Sequence, residues 1–288
     1  MKRRTFMLIA HISDLHIRPH GVKLYDFVDT NALISRHVAT LNSIAKTTDR
    51  PDAVIITGDI VNCGQKQEYA MARRILGQIT LPVYIIPGNH DNNAHLLEAL
   101  MDICPPLENV DKSGEHNIRY TVEDYAVRFI MLDSSISGEL HGEIGREQMA
   151  WLARELQKDT DRETAVCMHH HPLPSGNAHM DAIRCRDGQA LIDMLKGYPN
   201  VTRLLCGHTH RSIFQNVGHI LICTVPGAAH QVPFHSTDLD GSYTLEPPAL
   251  YFHRHTPETG LVTYSQSLAP FDGPYPFDSA CACPEGQL

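Results

Sequence analysis

Five times along this chain a short apolar, β-branched run stops at His, Asp or Asn, and no other feature constrains the fold as much. Phe6 to Ile12 stops at Ser13-Asp14-Leu15-His16, and Ala53 to Ile56 at Thr57-Gly58-Asp59. Pro82 to Ile86 stops at Pro87-Gly88-Asn89-His90-Asp91, Ala165 to Met168 at His169-His170-His171, and Val201 to Cys206 at Gly207-His208-Thr209-His210. Short apolar runs bounded by Gly and Pro read as buried strands. In open α/β sheets the chemistry gathers at the carboxyl ends of the strands. The polar clusters therefore belong at one end of a sheet system.

Helical spacing fills the intervals. Asp29 or Thr30 starts a helix carrying Ile34, Val38, Leu41 and Ala45, and further helices are expected near 67–78, 94–102, 146–158 and 189–196. Residues 118–132 read as a hairpin, and Ile220 to Val225 as one more strand. Strand-then-ligand rhythm in both halves predicts two sheets packed face to face with helices outside. From about residue 230 proline and aromatic residues increase, with a further hairpin expected at 249–255 and 261–267. The expected division is 1–229 for the catalytic domain and 230–288 for a C-terminal cap or oligomerisation region.

Composition excludes several classes. No apolar run approaches the ~20 residues of a membrane span. His11 and Asp14 interrupt the N-terminal apolar stretch too early for a signal peptide, which implies a cytoplasmic protein. The 8 cysteines form no Cys-x-x-Cys pair; Cys281 and Cys283 stand too close for ordinary zinc spacing, and Cys167, Cys206 and Cys223 read as buried thiols. Cys63 reads as packing, because nothing basic adjoins it in sequence. A formal charge of −9 argues against long nucleic acid, whereas 19 histidines raise the expectation of metal binding.

The strand ends supply Asp14, His16, Asp59, Asn89, His169, His208 and His210. This oxygen and nitrogen set without cysteine suits Zn, Fe, Mn or Co. In extended chain residues i and i+2 share a side, so Asp14 with His16, and His208 with His210, can each aim at one place. Such a set exceeds one tetrahedral ion and suits two, with Asp59 as the bridging carboxylate. Asn89 supplies a neutral amide oxygen, His90 an imidazole, and Asp91 a carboxylate expected to orient that imidazole.

In this order, Asp-x-His, Gly-Asp, Gly-Asn-His-Asp, His and Gly-His-x-His resemble the calcineurin-like metallophosphoesterase superfamily. The resemblance implies a four-layer α/β/β/α sandwich and a dimetal centre. Asp14, His16, Asp59 and His210 would hold one metal; Asp59, Asn89, His169 and His208 the other; His90 would be the catalytic imidazole. Residues 21–25, 58–64, 173–178 and 230–233 are similar to the bacterial glycerophosphodiesterases of the cyclic-nucleotide-phosphodiesterase branch, apart from the extra His171. That likeness offers Tyr25, Phe27 and His230 as substrate-pocket residues. It also implies a homo-oligomer, a dimer or an assembly of dimers.

The expected reaction is hydrolysis of a small phosphodiester, such as glycerophosphoethanolamine, by a water activated between two metals, with His90 protonating the leaving alcohol. Ser/Thr phosphatases of the superfamily carry an arginine where this chain has Cys63, after Asn62, and its absence favours a monoanionic diester. A cyclic-nucleotide or promiscuous phosphodiesterase is the alternative within enzymes. A metallophosphoesterase fold serving as a non-catalytic scaffold is the alternative outside them.

Overall fold

The computed structural model describes residues 6–105, 118–234, 237, 239–273 and 275. Cys281 and Cys283, and the end of the expected C-terminal region, lie outside them. Among the described residues the elements run β1 (Met7–Ile12), α1 (Thr30–Ile44), β2 (Ala53–Thr57), α2 (Lys66–Leu76), β3 (Val83–Ile86), α3 (Asn93–Leu100), β4 (Tyr120–Val122) and β5 (Arg128–Met131), then α4 (Gly145–Gln157), β6 (Thr164–Cys167), α5 (Ala178–Ala182), α6 (Gly188–Leu195), β7 (Val201–Cys206), β8 (Ile213–Val217), β9 (Ile220–Thr224), β10 (Ala249–Thr256) and β11 (Gly260–Ser267). The helix starts follow their caps. The Asp29 carboxylate accepts from Ala32 N–H at 2.9 Å, and Asn92 caps α3 the same way through His95 N–H.

The strands form two sheets, ordered β11-β10-β1-β2-β3 and β4-β5-β6-β7-β9-β8. Alternation along the second sheet shows the layering. Phe129, Met131, Ala165, Cys167, Leu205 and Cys223 pack into the core shared with the first sheet. Their neighbours Ile130, Leu132, Val166, Met168, Leu204 and Ile222 pack on the other side against Leu152 and Leu156 of α4 and Leu191, Ile192 and Leu195 of α6. Helices α1, α2 and α3 cover the first sheet through residues such as Ile34, Leu41, Ala72, Ile75, Leu96 and Leu100. The result is a four-layer α/β/β/α sandwich. No helix among the described residues is long and apolar enough to cross a membrane.

Three features differ from the sequence expectation. α5 spans five residues, too few for a visible helical period. β8 is an edge strand pairing antiparallel with β9; Phe214 and Asn216 face outward and hide its apolar alternation. The region expected as separate from residue 230 does not stand apart as a whole, because β10 pairs with β1 from Met7↔His255 to His11↔Tyr251. Residues 249–267 thus belong to the first sheet, and their backbone hydrogen bonds explain it: β1 would otherwise be a bare edge.

Candidate metal centre

The parallel strands β1, β2, β3, β6 and β7 end at one place, and the loops leaving them bring the expected donors together. Asp14, His16, Asp59 and His210 place ligand atoms within 4.8 Å of one another and are all buried. His169 and His208 form a second group with His170 at the same separation. The Asn89 amide oxygen lies 3.1 Å from His169 Nε2 and 3.0 Å from His208 Nδ1. Asp59 stands between the groups, its Oδ2 3.8 Å from His16 Nε2 and 3.4 Å from His169 Nε2. Its Oδ1 accepts from His90 N–H at 2.9 Å.

The backbone at this end is strained. Asp14, His16, Asp59, His208 and His210 have φ of 58°, 45°, 50°, 68° and 47°. Left-handed backbone at non-glycine residues costs on the order of 1–3 kcal/mol each and gathers where a site demands it. Tyr25 and Asp26 are the other two such residues described. Glycine makes the approach possible: a Cβ on Gly88 would collide with the Asp59 carboxylate, and Gly58 turns the chain at φ +98°.

Tautomers show what the donors fit. His169 Nδ1 donates to the Thr57 carbonyl at 2.7 Å, and His210 Nδ1 to the His230 carbonyl at 3.0 Å. Each ring therefore turns an unprotonated Nε2 inward in its neutral form. That of His169 faces Asp59 Oδ2 and Asn89 Oδ1; that of His210 faces Asp14 Oδ1 at 3.3 Å and His16 Nε2 at 3.2 Å. Acceptors facing acceptors among buried side chains fit a cation, and the donor types suit a transition metal. Burial opposes charge on His169, but the Asp59 carboxylate overrides it and lifts the pKa to about 9. Burial, helped by His90, holds His16 well below the usual histidine range; burial and His170 do the same to His208.

His170 is close but otherwise engaged, its Nδ1 2.8 Å from Ser134 Oγ and its Nε2 3.2 Å from the Leu140 carbonyl. His171, the extra histidine, is buried with its Nε2 3.3 Å from Asp181 Oδ1, which ties the strand end to α5.

The expected Asp91–His90 pair does not form. Asp91 turns away and accepts from Gly88 N–H, Ile60 N–H, Val61 N–H and Tyr69 O–H at 2.9–3.3 Å. Three donors from two loops and the Tyr69 hydroxyl of α2 outcompete one ring. His90 Nδ1 instead donates to the Asn62 carbonyl at 2.7 Å. Asn62 is the residue sequence reasoning undervalued, since its side-chain oxygen also lies 3.1 Å from His16 Nδ1. Cys63 does have a basic neighbour in space: Arg18 Nη1 lies 2.8 Å from its sulfur, although the same guanidinium binds Glu68.

A cavity of about 410 Å³ opens over the centre, lined by His16, Asp59, Asn89, His90, His208 and His210. Of the three residues expected in the pocket, Tyr25 and His230 line it. Phe27 does not; it sits 54% exposed, with its ring 6.3 Å from that of Tyr243. Tyr243 lines the cavity and was not foreseen, because it follows a turn in the aperiodic tail.

A family model described as calcineurin-like phosphoesterase matches residues 7–212. The glycerophosphodiester phosphodiesterase GpdQ of Enterobacter lignolyticus is 42% identical over 278 residues, covering 96% of this chain and 97% of the relative. A 3′,5′-cyclic adenosine monophosphate phosphodiesterase, CpdA, of Pseudomonas aeruginosa is 29% identical over 81% of this chain and 80% of its own. Among solved structures, a dimetal phosphatase from Danio rerio superposes with a TM-score of 0.63 at 15% identity, over 91% of this chain and 99% of that one.

Proposed function

Because the chain belongs to the calcineurin-like phosphoesterase family, we propose that it is a two-metal phosphodiesterase for small glycerophosphodiesters such as glycerophosphoethanolamine, releasing a phosphomonoester and an alcohol. The observation that carries this reading is Asp59, whose one carboxylate oxygen faces a histidine of each donor group. GpdQ, similar over almost the whole chain, supports the substrate class.

When bound, two divalent cations would offset charge on the phosphoryl oxygens and lower the pKa of a water between them. The protein's own part follows from its geometry. Asp14, His16, Asp59 and His210 would hold one ion, and Asp59, Asn89, His169 and His208 the other. The carbonyls of Thr57 and His230 fix the rings of His169 and His210 for that task. His90 is pinned through Nδ1 by the Asn62 carbonyl, so as an imidazolium it would carry its second proton on Nε2, and transfer of that proton to the departing alkoxide would leave the neutral ring. Among the described residues no Lys or Arg lines the cavity, so they offer no Lys or Arg clamp for a dianionic monoester. By donor type, Fe, Zn, Mn and Co all suit the centre. Exposed Phe234 and Leu239 support self-association through the C-terminal region.

The test is turnover by metal-reconstituted protein of glycerophosphoethanolamine, 3′,5′-cyclic AMP, bis(nitrophenyl) phosphate and nitrophenyl phosphate, with Asn89→Ala as control. The glycerol diester should be preferred, and its turnover lost in the variant. Faster turnover of the monoester than of every diester would overturn the diesterase reading, and cyclic AMP as best substrate would replace the substrate class.

A further inference from the structure

Beside the metal centre lies a second cavity, of about 420 Å³. The segment that follows β9 runs between the two. His230 and Val232 line the first cavity; Val232, Pro233 and Phe234 line the second. Met180 of α5 also lines both, so the two spaces adjoin at Val232 and Met180. Ile213 and Phe214 of β8 add further apolar surface. Phe214 and Phe234 remain 53% and 71% exposed. Apolar side chains scattered singly over a surface need no explanation, but here they share one cavity that meets a candidate active site. Arg211 is the one charged side chain among the described lining residues. It does not make the cavity an anion site, because its guanidinium is already matched by both Glu246 carboxylate oxygens, at 2.5 and 2.8 Å. Its Nε donates to the Val232 carbonyl at 2.9 Å, which braces the dividing segment.

We propose that this second cavity is a subsite for a hydrocarbon chain, so that the protein also cleaves monoacylated glycerophosphodiesters, with the phosphate at the metal centre and the acyl chain passing Val232 and Met180 onto Phe214. The bond chemistry is that of the smaller diesters. The oxygen of water forms a new bond to phosphorus, the bond from phosphorus to one alcohol oxygen breaks, and that alcohol leaves with a proton. A glycerophosphodiester without an acyl chain has no apolar part to place in the second cavity, whereas each CH2 taken from water into it gains the hydrophobic free energy of transfer. The choice of substrate rests on the diesterase reading; binding of the hydrocarbon does not.

Two measurements keep these apart. With metal-loaded protein, lysophosphatidylethanolamines of increasing chain length, each below its micelle concentration, should show KM falling about two- to fourfold per added CH2 until the cavity is filled. Phe214→Ser should flatten that dependence, and Phe214→Leu, still apolar, should retain most of it. KM independent of chain length, or a Phe214→Ser loss equal at every length, would overturn the subsite while leaving the diesterase intact. Calorimetry with decanoate, which carries a chain but no diester, reads the cavity without turnover. Saturable binding with a negative heat-capacity change, weakened by Phe214→Ser, supports the hydrocarbon site even if no diester is cleaved. The same binding beside a chain-length-independent KM would make it a fatty-acid site and overturn the substrate assignment. No saturable binding overturns the hydrocarbon site. So does a Phe214→Ser variant that loses self-association in light scattering but keeps the chain-length dependence, because the cavity would then be a contact between copies.

Discussion

His16 and His210 point ring nitrogens at each other across 3.2 Å. The His210 nitrogen carries no proton in the neutral ring, because its other nitrogen donates to the His230 carbonyl. The His16 nitrogen is in the same state when Nδ1 donates to the Asn62 side-chain oxygen. Two lone pairs held this close repel, and a shared cation removes the repulsion. Metal should therefore raise thermal stability: a ligand at a hundredfold its Kd adds about 2.7 kcal/mol. Thermal melts with and without Zn or Mn should show the rise in the wild type and its loss in Asp59→Asn. An unchanged rise in the variant would remove Asp59 from the centre.

Asn62→Ala should weaken metal binding without touching a ligand. Its side chain orients His16, and outer partners of this kind are typically worth 10–100-fold in affinity. Metal titration followed by activity and by calorimetry would check the shift. The His90 contact is made by the Asn62 backbone carbonyl and should survive.

His90→Ala should lower kcat for alkyl diesters by on the order of 10²-fold. With a nitrophenol leaving group, acidic enough to depart unaided, the loss should be smaller. Equal losses for both substrates would exclude proton donation by His90.

Asp91→Ala should act on stability rather than on the proton step. The carboxylate is the acceptor for three backbone N–H groups and the Tyr69 hydroxyl, so its removal should cost on the order of 3 kcal/mol or more in urea unfolding. The leaving-group dependence of the folded variant should match that of the wild type. A dependence resembling His90→Ala would restore the orienting role that the geometry denies.

Asp133, fully buried after β5, gives a pH signature of its own. Burial lifts its carboxyl from 3.8 to about 6. The folded chain holds this proton more tightly than the unfolded one, so the contribution is complete below about pH 4 and falls as pH rises through about 6, by up to about 3 kcal/mol. Urea unfolding of metal-free protein between pH 4 and 7 should show the wild type losing stability relative to Asp133→Asn over that window. Parallel curves would show that the carboxyl titrates normally.

Strand ends were legible in the sequence because β-branched runs and Gly or Pro stops are local signals. Asp14, His16, Asp59, Asn89, His169, His208 and His210 converge because parallel strands share one carboxyl end. Side-chain direction was not legible. Asp91 adjoins His90 in sequence, yet the competition of four donors for its carboxylate is settled only in three dimensions. Partner choice was equally hidden: the 249–267 hairpin shows its own periodicity, but its pairing with a strand some 240 residues earlier has no local signal. Tyr243 has no period at all and is placed by the turn before it.

The antiparallel seam between β1 and β10 has a consequence for biosynthesis. The strand that delivers Asp14 and His16 is translated some 240 residues before its neighbour on that side. Until then the nascent chain carries an apolar strand with one open edge, a template for pairing with other chains. Truncation before residue 249 would leave that edge open for good, so such a fragment, although it keeps every candidate ligand, should accumulate as aggregate.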